Sequence, residues 1–282
     1  MSSYSRLVSK IINFGQETDD RTGIGTISIF GEMIEHDFSL GFPAETQKKL
    51  FWKPLIGELL WFIEGSTNVE RLRELTWGKD SDKKTIWDEN YEAQGKALGY
   101  TNGNLGPVYG HQWRSFGGVD QLKNVIDEIK NNPNSRRLLV SAWNPVDLDK
   151  MTLPPCHFAF QFKVRGEYLD IMWSQRSVDT LLGLPFNIAS YATLLEIVAK
   201  MTGYKPGMIK GSLGDCHIYN NHIEGAKEML SRSKFCYPFL KFPEFTTSNT
   251  EDQLKEVVSW GVDAYKLIGY NSHPPIKLPM AV

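Results

Sequence analysis

The run from Pro185 to Met201 constrains this chain most, because it reads as a helix that is apolar on nearly every side. Pro185 is tolerated in a first helical turn and Gly203 stands just past the end, so both boundaries carry suitable punctuation. A helix without a polar face must be covered all round and belongs at the centre of a sizeable molecule. The 282 residues can build such a core, since 41% are hydrophobic and 12% aromatic.

Around that helix the sequence offers both strands and helices. Residues 4–14 place Leu7, Ile11, Ile12 and Phe14 near helical spacing with Gly15 as a stop. GTISIFGEMIEHDF, from Gly25 to Phe38, reads as a strand with a bulge at Gly31. KPLIGELLWFIE at 53–64 predicts an apolar helix ended by Gly65, and Glu58 within it is a carboxylate that needs a reason. Residues 119–131 predict an exposed amphipathic helix halted at Asn132-Pro133, followed by a short strand at 138–143. HFAFQFKVR and EYLDIMWSQ flank Gly166 as a hairpin. These elements do not alternate regularly, so the fold class expected is α+β rather than a doubly wound parallel sheet. No linker, charge block or internal repeat divides residues 1–282, which read as a single domain. No apolar run approaches membrane-spanning length, and MSSYSRLVSKIINFGQ lacks the continuous apolar stretch of a secretory leader, so a cytoplasmic protein is expected.

Chemistry has to be sought in short polar motifs among these elements. The formal net charge of -2 gives no general attraction for polyanions, although clustered arginines can still hold one small phosphate. Nucleic acid is therefore a poor default partner. Cys156, Cys216 and Cys236 are an odd set without CxxC spacing, which suggests neither a disulfide framework nor a zinc site; no metal is expected. Cys156 in LPPCH is approached through two prolines and followed by His157, just ahead of a predicted strand; the alternative is a buried thiol acting as a small hydrophobe. Arg21 in DDRTG, Arg136 and Arg137 in NSRRLLV, and Arg176 beside Ser177 in SQRSVD supply forks suited to phosphate, with surface ion pairs as the plainer alternative for any one of them. Asn187 in LGLPFNIASY can read a base edge or cap a helix, and His217 and Tyr219 in GDCHIYNNH can bond a sugar hydroxyl. Walker, GxGxxG and HExxH signatures are absent.

Taken together, these segments resemble the thymidylate synthase family. DDRTGIGT, ELLWFIEGSTN, IWDENY, LGPVYGHQWR, NSRRLLVSAWNP, LPPCHFAFQF, QRSVDTLLGLPFNIASYATL and GDCHIYNNH occur in the family's order, from about Asp20 to the closing SHPPIKLPMAV. The resemblance implies a large mixed sheet covered by helices and a homodimer formed through the sheet face. It implies methylation of dUMP at C5, with 5,10-methylenetetrahydrofolate consumed as cosubstrate, to give dTMP and dihydrofolate. Cys156 would add covalently to C6 of the pyrimidine, with Arg176 favouring the thiolate. Glu58 would organise proton transfer near O4 and the folate, and Tyr109 would lie near the C5 proton. Arg21, Arg176 and Ser177 would bind the phosphate, joined by Arg136 and Arg137 from the other subunit. Gln175 would also line the nucleotide, Asn187 would read the N3–H and O4 edge of uracil, and His217 and Tyr219 would hold the 3′-hydroxyl. For the folate, the resemblance implies Asp179 at the pterin, counted also among the catalytic residues, Trp87 at the aromatic body and Lys48 near the glutamyl tail. Gly183 and Phe186 would line the same site, with Ala281 and Val282 in a C-terminal segment that closes over it.

Some positions depart from the family's usual pattern: Glu45 and Gln47 in FPAETQKKL, Ser174 before QRS, and Cys216 before His217. They leave room for a relative in which water rather than hydride reaches the new carbon, a deoxyuridylate hydroxymethylase yielding 5-hydroxymethyl-dUMP and tetrahydrofolate. A catalytically inactive nucleotide- or RNA-binding relative is the further alternative.

Overall fold

Residues 2–19 and 23–279 are described by this computed structural model. Helix α1 (Ser3–Phe14) starts where the Ser2 hydroxyl accepts from the Ser5 amide and stops at Gly15. It is followed by β1 (Gln16–Thr18), β2 (Thr26–Asp37), α2 (Trp52–Glu64), α3 (Val69–Trp77), the single turn α4 (Trp87–Asn90), α5 (Tyr109–Ser115) and α6 (Gln121–Asn131). Then come β3 (Leu139–Ser141), β4 (His157–Arg165), β5 (Tyr168–Asp179), α7 (Leu184–Thr202), β6 (Lys205–Tyr219), α8 (Ile223–Ser231), β7 (Phe239–Lys241), α9 (Thr250–Ser259) and β8 (Lys266–Ile268).

One mixed sheet runs in the order β1-β2-β6-β5-β4-β3, and β7 pairs with β8 in a separate ribbon. Within the large sheet β5 and β6 are parallel while the other neighbours are antiparallel. A parallel pair needs a long crossover, and α7 supplies it. The helix lies on β5 and β6 with α2, α6 and α9 against it, so it is central, as its apolar circumference demanded. Tyr191 stacks on Trp173 of the sheet with ring centroids 5.4 Å apart. No helix among the described residues is long and apolar enough to cross a membrane.

Part-way along the sheet, the rows of buried side chains change parity. In β6 Ile209, Gly211 and Leu213 are buried, then Cys216 and Ile218; in β5 Ile171, Trp173 and Gln175 are buried, then Val178. Yet β2 and β6 stay in step from Thr26↔Tyr219 to Asp37↔Met208. The bulge expected at Gly31 is therefore not an extra residue in one strand, because neighbouring strands kink together. Gly31 adopts a φ of 83°. At Gly214 in β6 an added Cβ would come within 2.5 Å of the Arg176 carbonyl oxygen. The register shift between His157 and Ala159 carries the irregularity into β4, at the door of Cys156.

Strand β6 had no counterpart among the sequence expectations, although it lies between β2 and β5. Pro206 and three glycines make it look unlike a strand. The glycines answer to close packing, since a Cβ at Gly207 or Gly211 would strike the Asp170 carboxylate or the Trp173 ring.

Candidate active site

Cys156 ends the proline turn, and its backbone is held from two sides. Its N–H donates to the Tyr109 hydroxyl at 2.7 Å, and its carbonyl accepts from Arg176 N–H at 2.8 Å. At the kink in β5 the Arg176 side chain turns back over this loop. Its Nε and Nη2 donate to the carbonyls of Pro155 and Pro154 at 3.0 Å, and Nη2 lies 3.7 Å from Cys156 Sγ. The Trp143 ring is 5.8 Å from the guanidinium carbon. Burial pushes the Cys156 thiol up, and Arg176 opposes that shift. Arg176 thus pulls toward the thiolate without outweighing desolvation.

An aromatic wall backs the thiol. The ring of His157 stacks on Tyr109 at 4.3 Å, and its Nδ1 is 2.9 Å from the Tyr191 hydroxyl. Burial holds His157 down at about 3, so the imidazole is neutral at physiological pH. Tyr109 is itself raised well above the ordinary phenol range, first by burial and then by the nearby Cys156. Across this wall, Glu58 Oε1 accepts from the indole N–H of Trp87 at 2.7 Å. Burial raises Glu58 to about 7 despite that hydrogen bond. The carboxylate that needed a reason in α2 is a group half-protonated near neutrality.

A second cluster joins β5 to the start of α7. Gln175 Nε2 donates to Asn187 Oδ1 and to the Ser177 carbonyl, each at 3.1 Å. Asn187 is not the cap of α7; Gly183 occupies that position, and its carbonyl accepts from Phe186 and Asn187 N–H. Asp179 Oδ1 accepts from the amides of Leu181 and Leu182 at 2.9 and 2.8 Å, which leaves Oδ2 for other partners. Lys48 is buried with its Nζ 5.9 Å from the Phe186 ring, and burial lowers it against the pull of Glu45 and Asp179. His217 Nδ1 lies 2.7 Å from Asp215 Oδ1, with the Tyr219 ring 5.3 Å from its own. Arg136 and Arg137 are exposed just before β3, and their guanidinium groups make no hydrogen bond or ion pair with the described residues. Arg21, Ala281 and Val282 lie outside the described residues.

The structure also ranks residues that the sequence left without a role. His157, Trp143, Tyr191 and His222 all touch these clusters, and only the adjacency of His157 to Cys156 and the place of His222 in GDCHIYNNH hinted at it. Conversely, two of the departures from the family pattern, Gln47 and Glu45, have side chains occupied elsewhere. Gln47 accepts from the Ser5 hydroxyl and donates to the carbonyls of Met229 and Arg232. Glu45 Oε1 takes the amides of Thr46 and Gln47. Cys216 is buried within β6, and burial pushes its thiol up to about 12. Ser174 pairs with Ala159 and Ser212 in the sheet row facing away from α7. No set of three His, Cys, Asp or Glu side chains among the described residues is placed to hold a metal ion.

Comparison with known proteins bears on the same clusters. A family model described as thymidylate synthase matches residues 2–282. The chain is 54% identical to the thymidylate synthase of Enterobacteria phage T4 over 286 aligned positions, and 50% identical to the probable thymidylate synthase of Escherichia phage T5 over 283, with all of both chains covered in each case. The crystal structure of the T4 phage thymidylate synthase superposes with a TM-score of 0.95 at 53% identity, covering 100% of both chains.

Proposed function

The chain belongs to the thymidylate synthase family, and on that premise we propose that it methylates dUMP at C5, with 5,10-methylenetetrahydrofolate as cosubstrate, to give dTMP and dihydrofolate. The observation that carries the mechanism is the Cys156 thiol held 3.7 Å from Arg176 Nη2, with its backbone fixed by Tyr109. Sγ adds to C6 of the pyrimidine, the new S–C bond displacing the C5–C6 electron pair toward C5 and O4, so that C5 becomes the nucleophile. The folate supplies the one-carbon unit and the hydride that completes the methyl group. Glu58, near its midpoint at neutral pH, can give and take protons around O4. Tyr109, kept protonated by burial, orients the Cys156 loop and lies beside the C5 proton to be lost. Reversal of the S–C bond then frees the product.

Fit to the folate is supported by chemistry of the right kind: an Asp179 carboxylate oxygen not used by the backbone, Trp87 with its indole fixed on Glu58, and buried Lys48 against Phe186. Gly183 places the first turn of α7 beside Asp179. Asn187 and Gln175 read the pyrimidine, Ser177 and Arg176 meet the phosphate with Arg21, and His217 and Tyr219 hold the ribose.

The active form in this reading is a dimer. Support comes from the sheet face opposite α7, which leaves Met33 54%, Met172 36% and Leu139 48% exposed, with Phe30 at the kink 85% exposed. Two copies related by a two-fold axis would bury that face isologously and bring Arg136 and Arg137, just before β3, to the partner's phosphate.

Incubation of the enzyme with labelled dUMP and methylenetetrahydrofolate tests the reaction. Stoichiometric dTMP and dihydrofolate are expected, whereas 5-hydroxymethyl-dUMP with tetrahydrofolate would overturn the proposal in favour of a hydroxymethylase. In the same assay Cys156→Ser should lower turnover by several orders of magnitude, because a hydroxyl is a far weaker nucleophile than a thiolate.

A further inference from the structure

Residues 274–279 are fitted closely against α8. Arg232 Nη1 donates to the Pro274 carbonyl at 2.7 Å. Beneath them, an added Cβ at Gly225 would come within 2.7 Å of Leu278 and 3.1 Å of Ile276, so a methyl group there would have to push those side-chain ends aside. The last link is His222, fully buried at the start of α8, with Nε2 2.7 Å from the Pro279 carbonyl oxygen. A carbonyl only accepts, so Nε2 carries the hydrogen. The other nitrogen, Nδ1, has no hydrogen-bond partner and lies 3.9 Å from Asp179 Oδ2. Because the loop amides occupy Oδ1, that same Oδ2 is the oxygen Asp179 can offer to a ligand. One imidazole thus grips the C-terminal segment and faces the carboxylate.

We propose that His222 is a positioning residue that couples docking of residues 274–279 to the Asp179 carboxylate, so that a pterin held by Asp179 and a docked segment stabilise each other. The proposal rests on the reading that Asp179 meets the reduced folate. Its physical basis is shared geometry: the buried ring holds Pro279 through Nε2 and sets its unpaired Nδ1 3.9 Å from Asp179 Oδ2, so the position of the ring depends on both neighbours at once. A ligand N–H on Oδ2 fixes the Asp179 carboxylate beside Nδ1, and with it the ring orientation in which Nε2 holds Pro279. By linkage the coupling acts equally in reverse, and a docked segment tightens the folate.

Two variants separate the grip from the coupling. His222→Ala removes both, and His222→Gln keeps an amide donor that can reach the Pro279 carbonyl while removing Nδ1 from Asp179. In His222→Ala, amides 276–278 should exchange deuterium faster than in the parent without any ligand, and KM for methylenetetrahydrofolate should rise about tenfold or more, with dUMP affinity unchanged. His222→Gln should restore the amide protection but not the folate KM. In the parent alone, dihydrofolate added with dUMP should slow exchange at 276–278 further. Parental exchange and parental folate KM in His222→Ala would overturn the proposal, and so would full restoration of folate KM by His222→Gln. If the parent makes no dTMP, the functional reading fails; the ligand-free exchange comparison, which needs no turnover, still decides the grip of His222 on the segment.

Discussion

Trp173, Gln175 and Asn187 form a relay whose direction is set by what each atom can do. An indole nitrogen only donates, so Gln175 Oε1, 3.1 Å away, must accept and the Gln175 amide nitrogen must face Ser177 and Asn187. That turns Asn187 Oδ1 toward Gln175 and leaves Nδ2 to donate, while the second lone pair of Oδ1 can accept. Uracil matches this pair with O4 and N3–H, and cytosine reverses it. Leaving one such buried group unpaired costs about 1–3 kcal/mol, or roughly 5- to 150-fold in kcat/KM. Asn187→Asp should therefore lose dUMP activity on that scale and gain on dCMP. Gln175→Glu, which removes the donor that fixes Asn187, should lose dUMP activity without the gain. Equal kcat/KM of the parent on both nucleotides would exclude the assignment.

Among the elements, α7 carries one anomaly. Its circumference is apolar as the sequence implied, but Glu196 sits two-thirds of the way along, partly buried, and burial raises its carboxyl to about 7 against a weaker opposing pull from Lys200. Between the ordinary value of 4.5 and about 7, the unfolded chain has lost a proton that the folded chain keeps. The folded state binds more protons in that window, so stability is highest below it and falls as pH rises through it, by up to about 3 kcal/mol for this one group. Glu58 behaves in the same sense. Glu196→Gln cannot ionise and should unfold a few degrees higher than the parent at pH 8, with little difference at pH 4.5 and unchanged turnover. A gap in melting temperature that does not widen with pH would show that Glu196 is already ionised, or paired, in the folded state.

For the whole molecule, the proposed dimer makes the sharpest demand, because each site would borrow arginines from the other subunit. Cys156→Ala and Arg137→Ala should each be nearly inactive alone. Mixed under conditions of subunit exchange, they should recover up to about a quarter of parental activity, since a hybrid dimer holds one site with both residues intact. Demonstrated exchange without recovery, or a fully active monomer at assay concentration, would refute the shared site. The open sheet face gives this prediction its structural motive: exposed Phe30, Met33 and Leu139 would otherwise remain in water.

What the sequence determined by itself was local. The period and glycine stops of α1, α2 and α7 gave those helices nearly to the residue, and the aromatic runs around Gly166 gave the hairpin β4–β5, because both signals depend on neighbours within a few positions. The motifs likewise singled out Cys156, Arg176 and Asn187 as residue types able to do chemistry. Their partners were not legible there. Tyr109 meets Cys156 across 47 residues, and Asp179 faces His222 only after β6 has run alongside β5. Strand β6 itself was hidden because its glycines answer to Asp170, Trp173 and Arg176, side chains and backbone on another strand. The shared kink, which turns Arg176 back over Cys156, exists only once neighbouring strands are paired. Tertiary structure alone decided these features, since each is a contact whose free energy depends on chain segments that the local sequence does not contain.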